Sequence, residues 1–109
     1  MGMRVYGLKA CDTCRKAMRA LTAAGHDAVL VDTRAEPLDA ARLDAFLEAF
    51  GDRLVNTRST TWRGLSEAER AESPEALLAR HPALMKRPVI EAGGKLYLGW
   101  DDGVRSALL

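Results

Sequence analysis

The stretch MRVYGLKACDTCRKAMRALTAAGHDAVLV, residues 3–31, decides the fold because its hydrophobic pattern changes twice along its length. Residues 3–6 are partly apolar and are followed by Gly7, which predicts a short first β-strand. The next apolar residues recur every three or four positions, which predicts an amphipathic helix over residues 12–24. They are Cys14, Ala17, Met18, Leu21 and Ala24.

A second strand follows this predicted helix. Gly25 has the position of a glycine that ends a helix. Residues 28–31 form a continuous apolar run, which is typical of a strand buried on both faces. Strand, helix and strand in this order form a βαβ unit with parallel strands.

The middle of the chain is predicted to be helical. One helix begins near Asp39 and ends at Gly51, since Leu43, Phe46, Leu47 and Phe50 form a single apolar stripe. Ser66 and Glu69 fit a capping box, and Ser73 followed by Pro74 fits a second helix start. We therefore expect a helical insertion over about residues 38–82.

The C-terminal part predicts a hairpin and a last helix. Pro88 marks the start of a strand, and Gly93 and Gly94 form a turn to an antiparallel partner over residues 95–98. Asp101 is able to cap a helix over residues 102–108. Residues 1–109 are thus predicted to form a single α/β domain of thioredoxin-like fold. Its four-stranded mixed sheet carries the helical insertion between the βαβ and ββα halves.

The composition limits the possible classes of function. The chain has a net charge of +1 and 28% charged residues, which gives no electrostatic reason to expect direct binding to nucleic acid or to a membrane surface. No apolar run approaches the roughly 20 residues that span a bilayer, and no secretory signal is visible. We expect a cytoplasmic protein, and we expect it to be a monomer.

Cys11 and Cys14 are the candidate reactive residues. Cys11 lies where the predicted first helix begins, and the unpaired N–H groups of a helix N-terminus favour a thiolate. Lys9 and Arg15 add positive charge nearby, whereas Asp12 opposes them. Cys14 lies one helical turn further on the apolar stripe. We therefore expect Cys11 to be the exposed nucleophile and Cys14 to be the buried thiol that resolves a mixed disulfide.

The cysteine pair has two other interpretations. Both cysteines could be small, inert core residues, because free cysteine is often buried. A zinc site usually needs a second cysteine pair or two spaced histidines, and His26 and His81 lack that spacing. We therefore predict no metal, and we expect His26 to be exposed in a loop. A CxxC pair at a strand-to-helix junction favours redox chemistry.

Residues near the late strand complete the candidate site. In a thioredoxin-like plan Pro88 lies beside the cysteine pair. Arg87 is then able to face the thiolate or an anionic substrate, which a guanidinium binds in a bidentate manner. A solvated surface arginine is the alternative. Lys9, Arg87 and Pro88 are therefore candidate substrate-binding residues.

Several stretches together resemble the Spx and arsenate reductase-like family. The resemblance spans about residues 3–108 and is strongest with its compact, reductase-like members. It implies a thioredoxin-like fold with a helical insertion, a cis Pro88, and roles for Arg58 and Arg87 in binding an oxyanion and stabilising the cysteine thiolate. The stretches are Val5-Tyr6-Gly7, Cys11-Asp12-Thr13-Cys14-Arg15-Lys16-Ala17, Asn56-Thr57-Arg58, Lys86-Arg87-Pro88-Val89-Ile90 and Leu98-Gly99-Trp100.

Three functions are compatible with this resemblance and the cysteine pair. The leading hypothesis is a thiol-disulfide oxidoreductase with catalytic residues Cys11, Cys14, Arg58 and Arg87. It would have no bound cofactor and would use glutathione as co-substrate, since an arginine pair is able to bind the glutathione carboxylates. The second hypothesis is arsenate reduction by Cys11. The third is a redox-switched regulator of the Spx type that binds RNA polymerase.

Overall fold

The computed structural model describes residues 2–109 and divides the chain into two compact units. Among these residues, the first unit comprises residues 2–36 and Arg87–Leu109, and the second comprises Pro37–Lys86. The predicted insertion over residues 38–82 falls inside the second unit, and the prediction of a single domain stays a prediction. Within residues 2–109, no helix combines the length and the apolar character that a membrane crossing requires.

The first unit is built on a four-stranded mixed sheet, as predicted. Its strands are β1 (Gly2–Gly7), β2 (Asp27–Asp32), β3 (Val89–Ala92) and β4 (Lys95–Leu98), in the order β2-β1-β3-β4. β1 and β2 are parallel, and Gly7 and Asp32 form the last pair at their carboxyl ends. β3 is antiparallel to both β1 and β4. This is the βαβ and ββα arrangement of the thioredoxin-like fold.

Helices occupy both units. α1 and α6 belong to the first unit, and a core cluster in that unit joins Val5 of β1 and Ile90 of β3 to Leu21 and Leu108 of these two helices. The predicted helix over residues 12–24 agrees with α1 to within one residue. The α-helices are α1 (Asp12–Ala23), α2 (Ala40–Phe50), α3 (Thr60–Arg63), α4 (Glu67–Arg70), α5 (Pro74–Arg80) and α6 (Asp102–Leu108), and short 3₁₀ helices span Gly51–Leu54 and Pro82–Leu84.

The second strand differs from its prediction. The apolar run over residues 28–31 indicated a strand buried on both faces, but β2 lies at the edge of the sheet and Val29 is 56% exposed. An apolar run raises the tendency to form a strand without fixing the position of that strand in the sheet. The residues that do pack against the core cluster, Ala28 and Leu30, come from one face of β2. That prediction of burial was therefore wrong.

The caps of the second unit follow the local sequence. The Asp39 carboxylate accepts the Arg42 N–H at 2.8 Å at the start of α2, and Gly51 ends that helix with a φ of 58°. Ser66 and Glu69 form both bonds of the capping box at α4. Ser73 caps α5 by accepting the Ala76 N–H, with Pro74 at the first helical positions. Each cap depends on side chains within a few residues, which explains why the sequence predicts it.

We expect Asp39→Ala to lower the free energy of unfolding by about 1 kcal/mol, because the Arg42 N–H loses its acceptor. Urea unfolding measures the change. Asp44→Ala removes an exposed carboxylate inside the same helix and should change stability by less than about 0.5 kcal/mol. An equal loss of unfolding free energy in the two variants would show that the Asp39 cap does not stabilise the helix.

The polar stretch over residues 54–64 contains a short helix that the sequence analysis did not predict. Ser59 caps α3 by accepting the Trp62 N–H at 3.1 Å. An antiparallel bridge between Val55 and Met85 joins the residues before α3 to the end of the unit. Because α3 has only four residues, it leaves no periodic apolar pattern in the sequence.

His26 is half-buried, whereas the sequence analysis expected it to be exposed. Its ring Nε2 lies 2.7 Å from the carbonyl oxygen of Leu108 at the end of α6. The contact joins the loop before β2 to the C-terminal helix, 82 residues away in the chain. Local sequence carries no signal for a partner at that separation.

Candidate active site

The two cysteines lie at the N-terminus of α1. Cys11 is the residue that precedes the helix, in extended conformation with φ −82° and ψ 120°, and Cys14 lies in its first turn. Both are free thiols. Cys14 is fully buried, and Cys11 is half-buried rather than exposed as expected. The start of the helix therefore carries one partly exposed cysteine and one buried cysteine.

The surroundings of Cys11 favour its thiolate. Burial alone would raise the pKa of Cys11, but three groups outweigh it: the backbone amide of Cys14, the Cys14 thiol and the Arg87 guanidinium. The pKa of Cys11 is consequently lower than that of an ordinary cysteine. A thiolate is the reactive form of cysteine in disulfide exchange, so Cys11 has the electrostatic setting of a nucleophile.

Cys14 has the opposite setting. Burial, helped by the neighbouring Cys11 sulfur, raises the pKa of Cys14 to about 11 against the opposing effect of the Leu8 backbone amide. The pair therefore ionises at Cys11 first, and Cys14 keeps its proton at neutral pH. Cys11 is therefore able to attack an incoming disulfide, whereas Cys14, buried and protonated, does not react with it.

Arg87 and Pro88 lie beside the cysteines, at the start of β3. The Arg87 side chain interacts with the Cys11 sulfur. The Arg87–Pro88 peptide bond is cis, as the resemblance implied. Pro88 is buried, and its carbonyl accepts the Gly99 N–H at 2.7 Å. The structure thus brings Arg87 and Pro88 together with Cys11 and Cys14.

The positive charges nearest to Cys11 in sequence act elsewhere. Arg15 forms an ion pair with Asp12, its neighbour on α1. Lys9 is exposed, and its charge acts on the carboxylate of Asp32. Arg87 is thus the cation that lowers the pKa of Cys11, whereas the charges of Lys9 and Arg15 act on Asp32 and Asp12. The role of Lys9 in substrate binding stays a prediction.

Asp32 and Thr33 hold the loop that leads to Cys11, and the sequence analysis missed both. The Asp32 carboxylate accepts the backbone N–H groups of Lys9 at 3.1 Å and Arg34 at 2.8 Å, which lowers the pKa of this carboxyl. Thr33 donates its backbone N–H to the Gly7 carbonyl at 2.9 Å. A signal was available in the predicted βαβ unit. Because β1 and β2 are parallel neighbours, the residues that follow their carboxyl ends lie at the same edge of the sheet.

Arg58 belongs to the second unit, in the loop before α3. Its backbone N–H donates to the Asn56 side-chain oxygen at 3.0 Å, and the residue is exposed. Its part in substrate binding stays a prediction. Among residues 2–109, no group of three or more histidine, cysteine or acidic side chains is arranged to hold a metal ion.

A thioredoxin-like sheet with a CxxC pair at the first helix N-terminus and a cis proline beside it defines a class of thiol-based redox proteins. Within that class, this chain belongs to the ArsC family, whose sequence model matches residues 6–107. Family membership, together with structural neighbours that are arsenate reductase-like, supports a thiol-based redox function for the chain.

Three similar proteins illustrate this relationship. A Haemophilus influenzae protein named only "Uncharacterized protein" is 40% identical over 103 residues, with 90% of each chain covered. A solved structure named "YFFB (PA3664) PROTEIN" is 33% identical with a TM-score of 0.87 and 98% of each chain covered. The structure of an arsenate reductase (ArsC) related protein from Brucella melitensis is 37% identical, with a TM-score of 0.78 and coverage of 98% of this chain and 93% of that chain.

We expect Arg87→Gln to raise the pKa of Cys11, because the thiolate loses its cationic neighbour. The curve of Cys11 alkylation rate against pH should move to higher pH, and the rate at pH 7 should fall several-fold. Iodoacetamide labelling followed by mass spectrometry measures it. Arg15→Gln is the matched control, because Arg15 pairs with Asp12 rather than with Cys11. Equal shifts in both variants would contradict this assignment.

Proposed function

We propose that this protein is a thiol-disulfide oxidoreductase that reduces glutathione mixed disulfides through Cys11 and Cys14. The observation that carries the proposal is the difference between the surroundings of the two thiols: Cys11 is half-buried at the start of α1, and Cys14 is fully buried in its first turn. The pKa of Cys11 is lowered beside Arg87, whereas burial raises the pKa of Cys14 to about 11. Cys11 is therefore the thiol that attacks the substrate, and Cys14 is the thiol that reacts after Cys11 has formed a disulfide.

The first step is attack of the Cys11 thiolate on the glutathione sulfur of a mixed disulfide. A new bond forms between Cys11 and that sulfur, and the substrate sulfur leaves as a thiolate that takes a proton from water. The product is a reduced substrate and a Cys11–glutathione disulfide. A lowered pKa at Cys11 raises its thiolate fraction at neutral pH and so speeds this attack.

The second step is resolution by Cys14. Once Cys11 is part of a disulfide it carries no charge, so it no longer opposes ionisation of Cys14. The Cys14 sulfur attacks Cys11, its proton passes to the departing glutathione thiolate, and a Cys11–Cys14 disulfide forms. Two further molecules of glutathione reduce that disulfide and become oxidised glutathione. Overall, one mixed disulfide and one glutathione give one thiol and one oxidised glutathione.

Substrate recognition rests on positive charge. Glutathione carries two carboxylates, and a guanidinium binds a carboxylate through two parallel N–H groups. Arg87 beside Cys11 is the first candidate for this contact, and Lys9 and Arg58 are the further cationic candidates. Pro88 carries no charge and is proposed only as an apolar substrate contact next to Arg87. We propose glutathione as co-substrate, no bound cofactor, and a cytoplasmic location, where a glutathione pool is available.

Arsenate reduction is the second candidate function. The similar Brucella melitensis protein is named as related to arsenate reductase, and Arg87 places a cation beside the Cys11 sulfur where an oxyanion would bind. Reduction of arsenate to arsenite needs two electrons, which two thiols supply when they become a disulfide. The same cysteine pair is therefore chemically able to serve either substrate.

The deciding experiment offers the wild-type protein both substrates under the same glutathione-coupled assay. We expect turnover with hydroxyethyl disulfide, which forms a glutathione mixed disulfide, and no arsenate-dependent consumption of reducing equivalents. Turnover with arsenate alone would replace the first function by the second. Turnover with neither, together with RNA polymerase captured in only one redox state, would favour a regulator of the Spx type.

A further inference from the structure

Gly7 makes an unusually close approach to Cys14. It is the buried last residue of β1. A Cβ atom built on Gly7 would overlap the Cys14 sulfur, and it would lie 3.3 Å from the Cys14 Cβ and 4.0 Å from the Pro88 Cβ. Real Cβ atoms do not approach a sulfur so closely, so any side chain at this position forces Cys14 to move.

Backbone conformation gives no reason for glycine here. Among the described residues, the glycines with positive φ are Gly25, Gly51, Gly93, Gly94 and Gly99. Gly7 is not one of them, and it has the extended backbone of a strand that any residue adopts. The absence of a side chain at Gly7 therefore serves the contact with Cys14 rather than a turn.

The strand at Gly7 is held by pairing with β2 and by hydrogen bonds to Thr33. Gly7 is in register with Asp32 at the end of the parallel β1–β2 pair. Its carbonyl oxygen accepts the Thr33 backbone N–H at 2.9 Å and the Thr33 hydroxyl at 3.4 Å. The next backbone amide, that of Leu8, interacts with the Cys14 sulfur. We therefore expect the Cys14 side chain, rather than the backbone of β1, to move when a side chain is added at position 7.

We propose that Gly7 is a positioning residue that leaves space for the Cys14 sulfur beneath Cys11, and that it thereby selects a two-thiol mechanism. This proposal deepens the proposed thiol-disulfide exchange and rests on it. With alanine at position 7, the Cys14 sulfur turns away from Cys11. Resolution then passes to a second glutathione, whose thiolate attacks the glutathione sulfur of the Cys11 adduct. That exchange frees the Cys11 thiolate and releases oxidised glutathione.

The test follows one reduced protein sample after addition of oxidised glutathione. Acid quenching and intact mass spectrometry separate the Cys11–glutathione adduct from the Cys11–Cys14 disulfide. In the wild type we expect a transient adduct followed by the Cys11–Cys14 disulfide. In Gly7→Ala we expect the adduct to accumulate, with disulfide formation slowed on the order of 10²-fold, because a misplaced thiol loses its intramolecular advantage. Disulfide formation at the wild-type rate in Gly7→Ala would overturn the proposal.

A control in the same strand separates this effect from general damage to β1. A Cβ on Gly2 would lie 3.6 Å from the Asp27 carbonyl oxygen, which is ordinary contact. Gly2→Ala should therefore form the disulfide as the wild type does. An equal slowing in Gly2→Ala and Gly7→Ala would overturn the assignment of a particular role to Gly7.

A double variant tests the contact itself. Cys14→Ala removes the sulfur that Gly7→Ala would meet, so we expect the drop in thermal midpoint caused by Gly7→Ala to shrink in the Cys14→Ala background. The same drop in both backgrounds would contradict the proposal. If Gly7→Ala does not fold, a folded double variant supports the proposal and an unfolded one overturns it.

These readouts are independent of catalysis. Wild-type protein without glutathione-coupled turnover would end the proposed function, whatever the adduct experiment shows. An unchanged rate of Cys11–Cys14 closure in Gly7→Ala would end only the inference about Gly7, because closure is measured in a single round without turnover.

Discussion

Replacing Cys11 by serine should reduce glutathione-coupled turnover to the rate of the uncatalysed exchange. A hydroxyl does not form the mixed disulfide, and Cys14 cannot substitute for it because Cys14 is fully buried and burial raises its pKa. The Cys11→Ser protein should also fail to form an adduct with oxidised glutathione at neutral pH. A coupled assay and intact mass spectrometry measure the two effects.

The matched control is Cys14→Ser, one helical turn away. This variant keeps the nucleophile and loses the resolving thiol, so the Cys11–glutathione adduct should accumulate and turnover should continue through a second glutathione. Turnover in Cys11→Ser close to that of the wild type would refute the mechanism. Complete loss of activity in both variants would mean that resolution requires Cys14 and that glutathione does not replace it.

Leu21→Ala should destabilise the first unit more than any surface substitution. Leu21 of α1 has no exposed surface and packs in the cluster with Val5, Ile90 and Leu108. Truncation of a buried leucine removes apolar contacts and leaves a cavity, so we expect a loss of 2–5 kcal/mol, on the order found for core leucines. Urea unfolding followed by circular dichroism measures this loss.

Val29→Ala on β2 provides the comparison. Val29 is 56% exposed at the sheet edge, and its truncation should cost less than about 1 kcal/mol. A cost equal to that of Leu21→Ala would mean that β2 is buried on both faces, as its apolar sequence first indicated. The pair of variants therefore also tests the position of β2 in the sheet.

The sequence was most informative where a structure depends on neighbouring residues. The limits of α1 and the caps at Asp39, Ser66 and Ser73 follow from side chains within one turn, and each of them was predicted. The position of β2 at the edge was not, because strand order depends on pairing between distant segments. Local pattern carries strand tendency but not sheet position.

The candidate site was predictable in its residue types and less so in its electrostatics. The CxxC pair and the Arg87–Pro88 step are visible in the sequence, but the choice between Arg87, Lys9 and Arg15 as the partner of Cys11 required the structure. The close approach of Gly7 to Cys14 was also invisible, since a glycine at a strand end has several possible explanations. Sequence shows which groups are present, and tertiary contacts decide which groups meet.

The central claim is that Cys11 ionises before Cys14, and site-resolved alkylation against pH tests it most directly. The reduced wild-type protein is treated briefly with iodoacetamide at a series of pH values, and labelling of each cysteine is read by peptide mass spectrometry. We expect Cys11 to be labelled with a midpoint below that of a free cysteine and Cys14 to remain unlabelled across the neutral range. Labelling of Cys14 before Cys11, or a Cys11 midpoint at or above that of free cysteine, would contradict it.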